Sequence, residues 1–178
     1  MIVLAADHGG FHLKEEVKKH LEAKGVEFVD VGTFSTDSID YPDVAKAGCE
    51  KITSGECDKG LFFCGTGVGI SIAANKVKGI RACCCSDHFS AKFTRLHNDS
   101  NVLCLGGRVV GAGVACELVD LFLETEFEGG RHANRVAKIM AIEEEQFKTP
   151  GRDFPSHYST VNSKIIYFGD YYGKNSYP

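Results

Sequence analysis

The sequence has no apolar run near the ~18–20 residues that cross a bilayer. Its first apolar run, Ile2–Ala6, begins without a charged leader or a cleavage site, so neither a transmembrane segment nor a secretory signal is expected. Basic charge is not in excess: 20 Lys and Arg stand against 24 Asp and Glu, for a net charge of −4. That balance argues against a partner held through nucleic-acid phosphates. The eight cysteines are too few for a disulfide scaffold at 178 residues. No Cys-x-x-Cys pair is present, so neither a metal site nor any other cofactor is expected. Cys83, Cys84 and Cys85 lie together in an apolar run and are expected to be buried, reduced thiols, which suits a cytoplasmic protein. No internal repeat is visible, and the 20 glycines follow no collagen-like period.

What is present is an alternation of short apolar runs with helical patterns. Strands are expected at residues 2–6, 26–31, 60–64, 80–85 and 102–105, where the apolar residues run on without alternation. Between them Phe11, Leu13, Val17 and Leu21 recur at helical spacing up to Gly25, and Pro42 suits the first turn of a second helix. Further helices are expected over 70–78, 90–97, 113–125 and 131–147. The pattern predicts a three-layer, Rossmann-like α/β fold: a five-stranded parallel sheet with helices on both faces. A composition break follows. Residues 149–178 hold five of the six tyrosines and three of the four prolines, so the sequence divides into a domain over 1–148 and a Tyr/Pro-rich tail expected to be disordered or loosely docked.

Ligands of an open parallel sheet bind beyond the carboxyl ends of its strands. After the first strand stand Asp7 and His8, a carboxylate and an imidazole suited to proton transfer or to steering hydroxyls and phosphate. After the third stands Cys64-Gly65-Thr66-Gly67-Val68-Gly69. Its alternating glycines let several N–H groups converge on one anionic point. A dinucleotide fingerprint would need Gly at position 70, a P-loop would need Lys, and a Cys-based phosphatase would need Arg at 70. Position 70 is Ile. An oxyanion cradle is the reading left, the plain alternative being a tight turn for packing. Cys64 meets this loop at a helix start, where a reactive thiol is expected, while the other seven cysteines read as inert. His97 and Asn98 close the fourth helical segment. Arg131 and Arg135 share one face at the start of the last helix, where two cations oppose the helix dipole and suit a phosphate. A thiolate beside such a cradle fits enolisation alpha to a carbonyl, and it equally fits acyl transfer; the residues alone leave both open.

Taken in order, several segments are familiar. They are Ala-Asp-His-Gly-Gly-Phe at 6–11, Asp-Tyr-Pro at 40–42, Cys-Gly-Thr-Gly-Val-Gly-Ile-Ser-Ile-Ala-Ala-Asn-Lys at 64–76 and Gly-Ile-Arg-Ala at 79–82. His-Asn-Asp at 97–99, Gly-Gly-Arg-Val-Val-Gly at 106–111 and Glu-Gly-Gly-Arg-His-Ala-Asn-Arg-Val at 128–136 follow. Over about residues 1–147 the chain resembles the type B ribose-5-phosphate isomerases, grouped with galactose-6-phosphate and allose-6-phosphate isomerases. The resemblance implies metal-free interconversion of ribose 5-phosphate and ribulose 5-phosphate through a cis-enediol, a pentose phosphate pathway step.

By position, Cys64 resembles the proton-moving base and Thr66 the hydroxyl that shuttles protons between O1 and O2. The N–H groups of Gly65, Thr66, Gly67, Val68 and Gly69 would hold the enediolate. His97 would open the furanose, with Asp7 guiding hydroxyls, Asn98 binding the sugar and Tyr41 flanking it. His8, Arg108, Arg131 and Arg135 would hold the phosphate. The resemblance further implies a homodimer or dimer of dimers with shared active sites, His97, Asn98 and Arg108 coming from the partner. A six-carbon sugar phosphate, or a non-catalytic sugar-phosphate-binding role, is the alternative reading. The tail at 149–178 has no counterpart in the resemblance.

Overall fold

The computed structural model describes residues 1–148. The expectation for the tail at 149–178 lies outside the described residues. Residues 1–144 form one compact unit and hold every feature discussed below; residues 145–178 are a second unit, of which the last turn of the final helix is described.

Five strands, β1 (Ile2–Ala6), β2 (Phe28–Asp30), β3 (Lys59–Cys64), β4 (Ala82–Cys84) and β5 (Val102–Gly106), pair in the order β2-β1-β3-β5-β4. Every pairing is parallel. Six helices connect or follow them: α1 (Phe11–Ala23), α2 (Tyr41–Thr53), α3 (Val68–Ala74), α4 (His88–Asn98), α5 (Ala112–Glu124) and α6 (Arg131–Lys148).

The central strands are buried on both faces, which is why they read as unbroken apolar runs. Leu4, Leu61, Phe63, Leu103 and Leu105 pack on one face against Leu13, Val17 and Leu21 of α1 and Leu118 and Phe122 of α5. Val3, Ala5, Phe62 and Cys104 pack on the other against Val44 and Ala45 of α2 and Ile70 of α3. Each fully buried Leu or Phe contributes about 1.5–3 kcal/mol of transfer free energy. The three-layer Rossmann-like architecture is as the residue pattern predicts.

The edge strands are shorter than their apolar runs. Val26 and Ile80 lie outside the ladders yet pack on the two cores, so apolarity marks burial there and not strand. Helix α3 starts at Val68, two residues earlier than expected, and stops at Asn75, whose amide donates to the carbonyls of Ser71 and Ala82. Gly25 follows α1 with φ +68°, the left-handed stop that the sequence suggests. Among the described residues no helix is long and apolar enough to cross a membrane.

Candidate active site

The strand order brings the ends of β1 and β3 side by side, with α1 and α2 leaving on opposite faces. Asp7 follows β1 and is buried; its N–H donates to the Phe63 carbonyl at 3.0 Å, tying the two strand ends together. Its carboxylate Oδ1 accepts the Gly10 N–H at 3.0 Å, so part of its work is the plain capping of this turn. His8 Nδ1 accepts the Ile39 N–H at 3.3 Å, which orients the ring and leaves Nε2 for a ligand.

Cys64 ends β3 with its side chain toward α3, and the Gly67 N–H donates to its sulfur at 3.1 Å. Gly67 adopts φ +78°, and a Cβ there would stand 2.9 Å from Cys84 Sγ and 3.0 Å from the Leu105 carbonyl carbon. Only glycine turns the chain so that this N–H faces back to the sulfur. Thr66 Oγ1 accepts the Val68 N–H at 3.3 Å. The N–H groups of Gly69 and Ile70 belong to the first turn of α3, where no preceding helical carbonyl takes them. The Tyr41 ring lies over Gly69, 3.0 Å from where a Cβ would be, which closes one side of the loop. The Cys64–Gly69 loop thus lies beside the Asp7 turn, with the Gly67 and Val68 N–H groups taken within the loop and those of Gly69 and Ile70 free of helical carbonyls.

The remaining cysteines are mostly poor acids. Burial pushes the Cys49 thiol up to about 12 and raises Cys104 well above the ordinary range. One expectation fails: of the three consecutive cysteines only Cys85 is buried, and Cys84 is exposed. Cys83 and Cys84 lie in β4, which is an edge strand among the described residues, and Cys85 follows it. Cys84 Sγ lies against Gly67, 3.7 Å from the Thr66 carbonyl, and lines a groove of about 350 Å³ that runs to His97 and Asn98.

A second group forms where the end of α4 meets the start of α6. The His97 and His132 rings stack in parallel, centroids 4.0 Å apart with 4° between planes. Glu128 Oε2 lies 3.6 Å from Nε2 of both rings. Arg131 Nε donates to His132 Nε2 at 3.3 Å, and an Arg135 terminal nitrogen lies 3.4 Å from His132 Nδ1. Neither guanidinium pairs with a carboxylate among the described residues. Burial, then His97 and Arg131, lower the His132 pKa, so its ring is uncharged at neutral pH.

His97, Glu128 and His132 offer three ligand atoms within 4.8 Å of one another. The arrangement suits a cation poorly. Two imidazole lone pairs in parallel planes 4.0 Å apart cannot converge on an ion ~2.0–2.1 Å from each nitrogen, and two guanidiniums flank the set.

Among the described residues no hydrogen bond or ion pair joins the two groups; Cys84 alone borders both. Arg108 lies beside Gly65 of its own chain. Its N–H donates to the Gly65 carbonyl at 3.0 Å, and its guanidinium lies 3.6 Å from where a Gly65 Cβ would stand, so it flanks the 64–69 loop. The tight turn after β5 explains this, since Gly107 N–H donates back to the Cys64 carbonyl. His97, Arg131 and Arg135 sit together in the other group, and Asn98 lines the groove beside His97. His132, Glu128 and Cys84 were not singled out from sequence; the first two lie inside the 128–136 segment, beside Arg131.

The architecture belongs to a known class. The chain is a member of the Ribose/Galactose Isomerase family, whose profile matches residues 2–139. It is 51% identical over 143 residues to ribose-5-phosphate isomerase B of Escherichia coli (strain K12), covering 80% of this chain and 96% of that protein. Among solved structures it resembles ribose-5-phosphate isomerase B of Clostridium thermocellum, at 51% identity and a TM-score of 0.80, covering 82% of this chain and 98% of the other. It also resembles ribose-5-phosphate isomerase B of Mycoplasma genitalium, solved with bound ribulose-5-phosphate, at 42% identity and a TM-score of 0.77 over 81% and 96% of the two chains.

Proposed function

We propose that this chain interconverts ribose 5-phosphate and ribulose 5-phosphate, with Cys64 as the base. The observation that carries the reading is the glycine loop that turns the Gly67 N–H onto the Cys64 sulfur beside further open N–H groups. In the open-chain aldose, the Cys64 thiolate removes the proton on C2 and becomes a thiol. The electron pair moves to the carbonyl oxygen, and the enediolate lies in the Gly65–Gly69 cradle. Thr66 moves a proton between O1 and O2, and the Cys64 thiol then delivers its proton to C1. Asp7 steers the sugar hydroxyls, Tyr41 flanks the sugar, and His8 and Arg108 meet the phosphate. No step in this scheme needs a metal.

His97 opens the furanose, Asn98 binds the sugar, and Arg131 and Arg135 add charge for the phosphate. These four lie in or beside the second group, so the site is complete when a second copy brings its His97 group to the first copy's cradle. Exposed apolar side chains around both groups, Val68, Ile72, Phe89 and Val109, fit such a contact.

The test is turnover of ribose 5-phosphate, allose 6-phosphate and galactose 6-phosphate with EDTA present, for the full chain and its Cys64→Ala variant. Ribulose 5-phosphate formation that vanishes in the variant supports the proposal. Turnover of a hexose phosphate alone keeps the mechanism and changes the substrate. Ribose 5-phosphate turnover that survives in the variant removes Cys64 from the role of base.

A further inference from the structure

Resting on the reading that His97 opens the sugar ring, we propose that His132 is a positioning residue whose ring plane fixes the His97 imidazole for that proton transfer. Ring opening needs a nitrogen held at one angle to a ring oxygen and an anomeric hydroxyl, and a misplacement near 1 Å can cost about 10²-fold. His97 sits near the end of α4, one third exposed, where a side chain on its own would sample several rotamers. Two contacts prevent that. The Phe93 ring meets it edge-on at 4.8 Å and 67°, and His132 covers its face at 4.0 Å and 4°.

His132 can serve as a platform because it is itself fixed. It is 3% exposed and lies at the start of α6, with a guanidinium at each ring nitrogen. The loop that leads into α6 is pinned to α4 by the Glu128 N–H on the Leu96 carbonyl, 3.1 Å. A neutral imidazole has one acceptor nitrogen, so it satisfies only one of the two guanidiniums. With Nε2 taking the Arg131 N–H, Arg135 is left for an anion. The charged groups facing the stack are therefore Glu128, Arg131 and Arg135. The low pKa of His132 keeps it uncharged beneath His97, without repulsion between the rings.

The test uses the full chain and follows initial rate against enzyme concentration in both directions. The equilibrium constant ties the two kcat/KM values together, so their ratio carries no information. When enzymatic ring opening is lost, the rate from ribose 5-phosphate is capped by spontaneous ring opening and stops rising with enzyme. The rate from ribulose 5-phosphate, which has no furanose to open, stays proportional.

His132→Ala is expected to show the cap, with KM for ribulose 5-phosphate unchanged, and His132→Phe, which keeps a ring plane, to restore proportionality. His132→Gln fills the space without a ring; it is expected to show the cap and stands in if the alanine variant does not fold. Proportional rates for both ring-less variants overturn the proposal. A cap in His132→Phe equal to that in His132→Ala also overturns it, because the nitrogens rather than the plane would then matter. His97→Ala is the control: if it shows no cap, the ring-opening role of His97 fails, an outcome distinct from failure of the positioning role alone.

Discussion

The Gly67 N–H points at the Cys64 sulfur across 3.1 Å, three residues along the chain. A buried thiol is ordinarily inert, as Cys49 of α2, pushed up to about 12 by burial, illustrates. The Cys64 sulfur receives a backbone N–H, whereas the Cys49 thiol faces the Ala74 carbonyl. Replacing Cys64 by Ala is expected to lower kcat by about 10²–10⁴-fold, the usual worth of a positioned base. Substrate Kd, measured by calorimetry on the inactive variant, should stay unchanged because no binding contact is lost. Cys84→Ser, which alters the exposed thiol on the other side of Gly67, should retain turnover. A dead Cys84 variant with a normal Cys64 would move the chemistry to the wrong sulfur.

Gly67 is the second half of that relationship. Gly67→Ala places a Cβ at φ +78°, against Cys84 Sγ and the β5 backbone. The expected cost is about 1–3 kcal/mol of stability, read as a lower urea midpoint with an unchanged slope. Because the backbone must shift to relieve the contact, kcat should fall more than the stability loss explains at 25 °C. A variant with full activity would show that the N–H on sulfur is dispensable.

How much of this was legible in the sequence depends on the range of the interaction. The sheet, the strand ends and the 64–69 loop follow from local rules: unbroken apolar runs, a glycine after α1, a proline at the start of α2. Cys84 was misjudged because apolar neighbours do not reveal that β4 is an edge. The His97–His132 stack was invisible for another reason. It joins residues 35 positions apart on two helices whose approach is set by tertiary packing, and no spacing rule encodes it. The closeness of Arg108 to Gly65 was equally hidden, because only the folded turn after β5 carries it back there.

Among the described residues Arg135 has no carboxylate partner, and it shares His132 with Arg131. Arg135→Ala is expected to raise KM by about 10–100-fold, the worth of a charge-assisted hydrogen bond of ~1.5–3 kcal/mol, with a smaller change in kcat. An unchanged KM removes it from the phosphate site.

The two groups of residues also predict complementation. A Cys64→Ala chain keeps an intact His97 group, and a His97→Ala/Arg135→Ala chain keeps an intact cradle. Mixed after mild unfolding and refolding, they should recover up to about a quarter of native sites if each site of a symmetric dimer draws on both copies. No recovery from a mixture shown to contain hybrid dimers would mean that each copy carries a complete site.

Lys14 and Asp30 test the support beneath the site. Lys14 is wholly buried, and its Nζ lies 2.8 and 2.7 Å from the two Asp30 oxygens and 2.8 Å from the Thr33 carbonyl. The chain beyond Thr33 carries Ile39, whose N–H orients His8, and Tyr41. Asp30→Asn removes one of two counter-charges from the buried Lys14 ammonium, leaving Glu15 Oε1 at 3.1 Å, and is expected to cost up to about 3–5 kcal/mol. It should also raise KM, since the loop that holds His8 is anchored here. Burial alone would push the Asp30 pKa up, but hydrogen bonds from Lys14, the Gly32 N–H and Lys18 bring it below the usual carboxylate value. A carboxyl whose folded pKa lies below its unfolded one, about 3.9, stabilises the fold above that pH. The stabilisation is lost as pH falls through the lower, folded value. Urea unfolding of the native protein should therefore steepen in its pH dependence below about pH 4, and the Asp30→Asn variant should lack that component. Equal acid sensitivity in both proteins would assign the acid loss to other carboxylates and leave the Lys14–Asp30 pair no role in it.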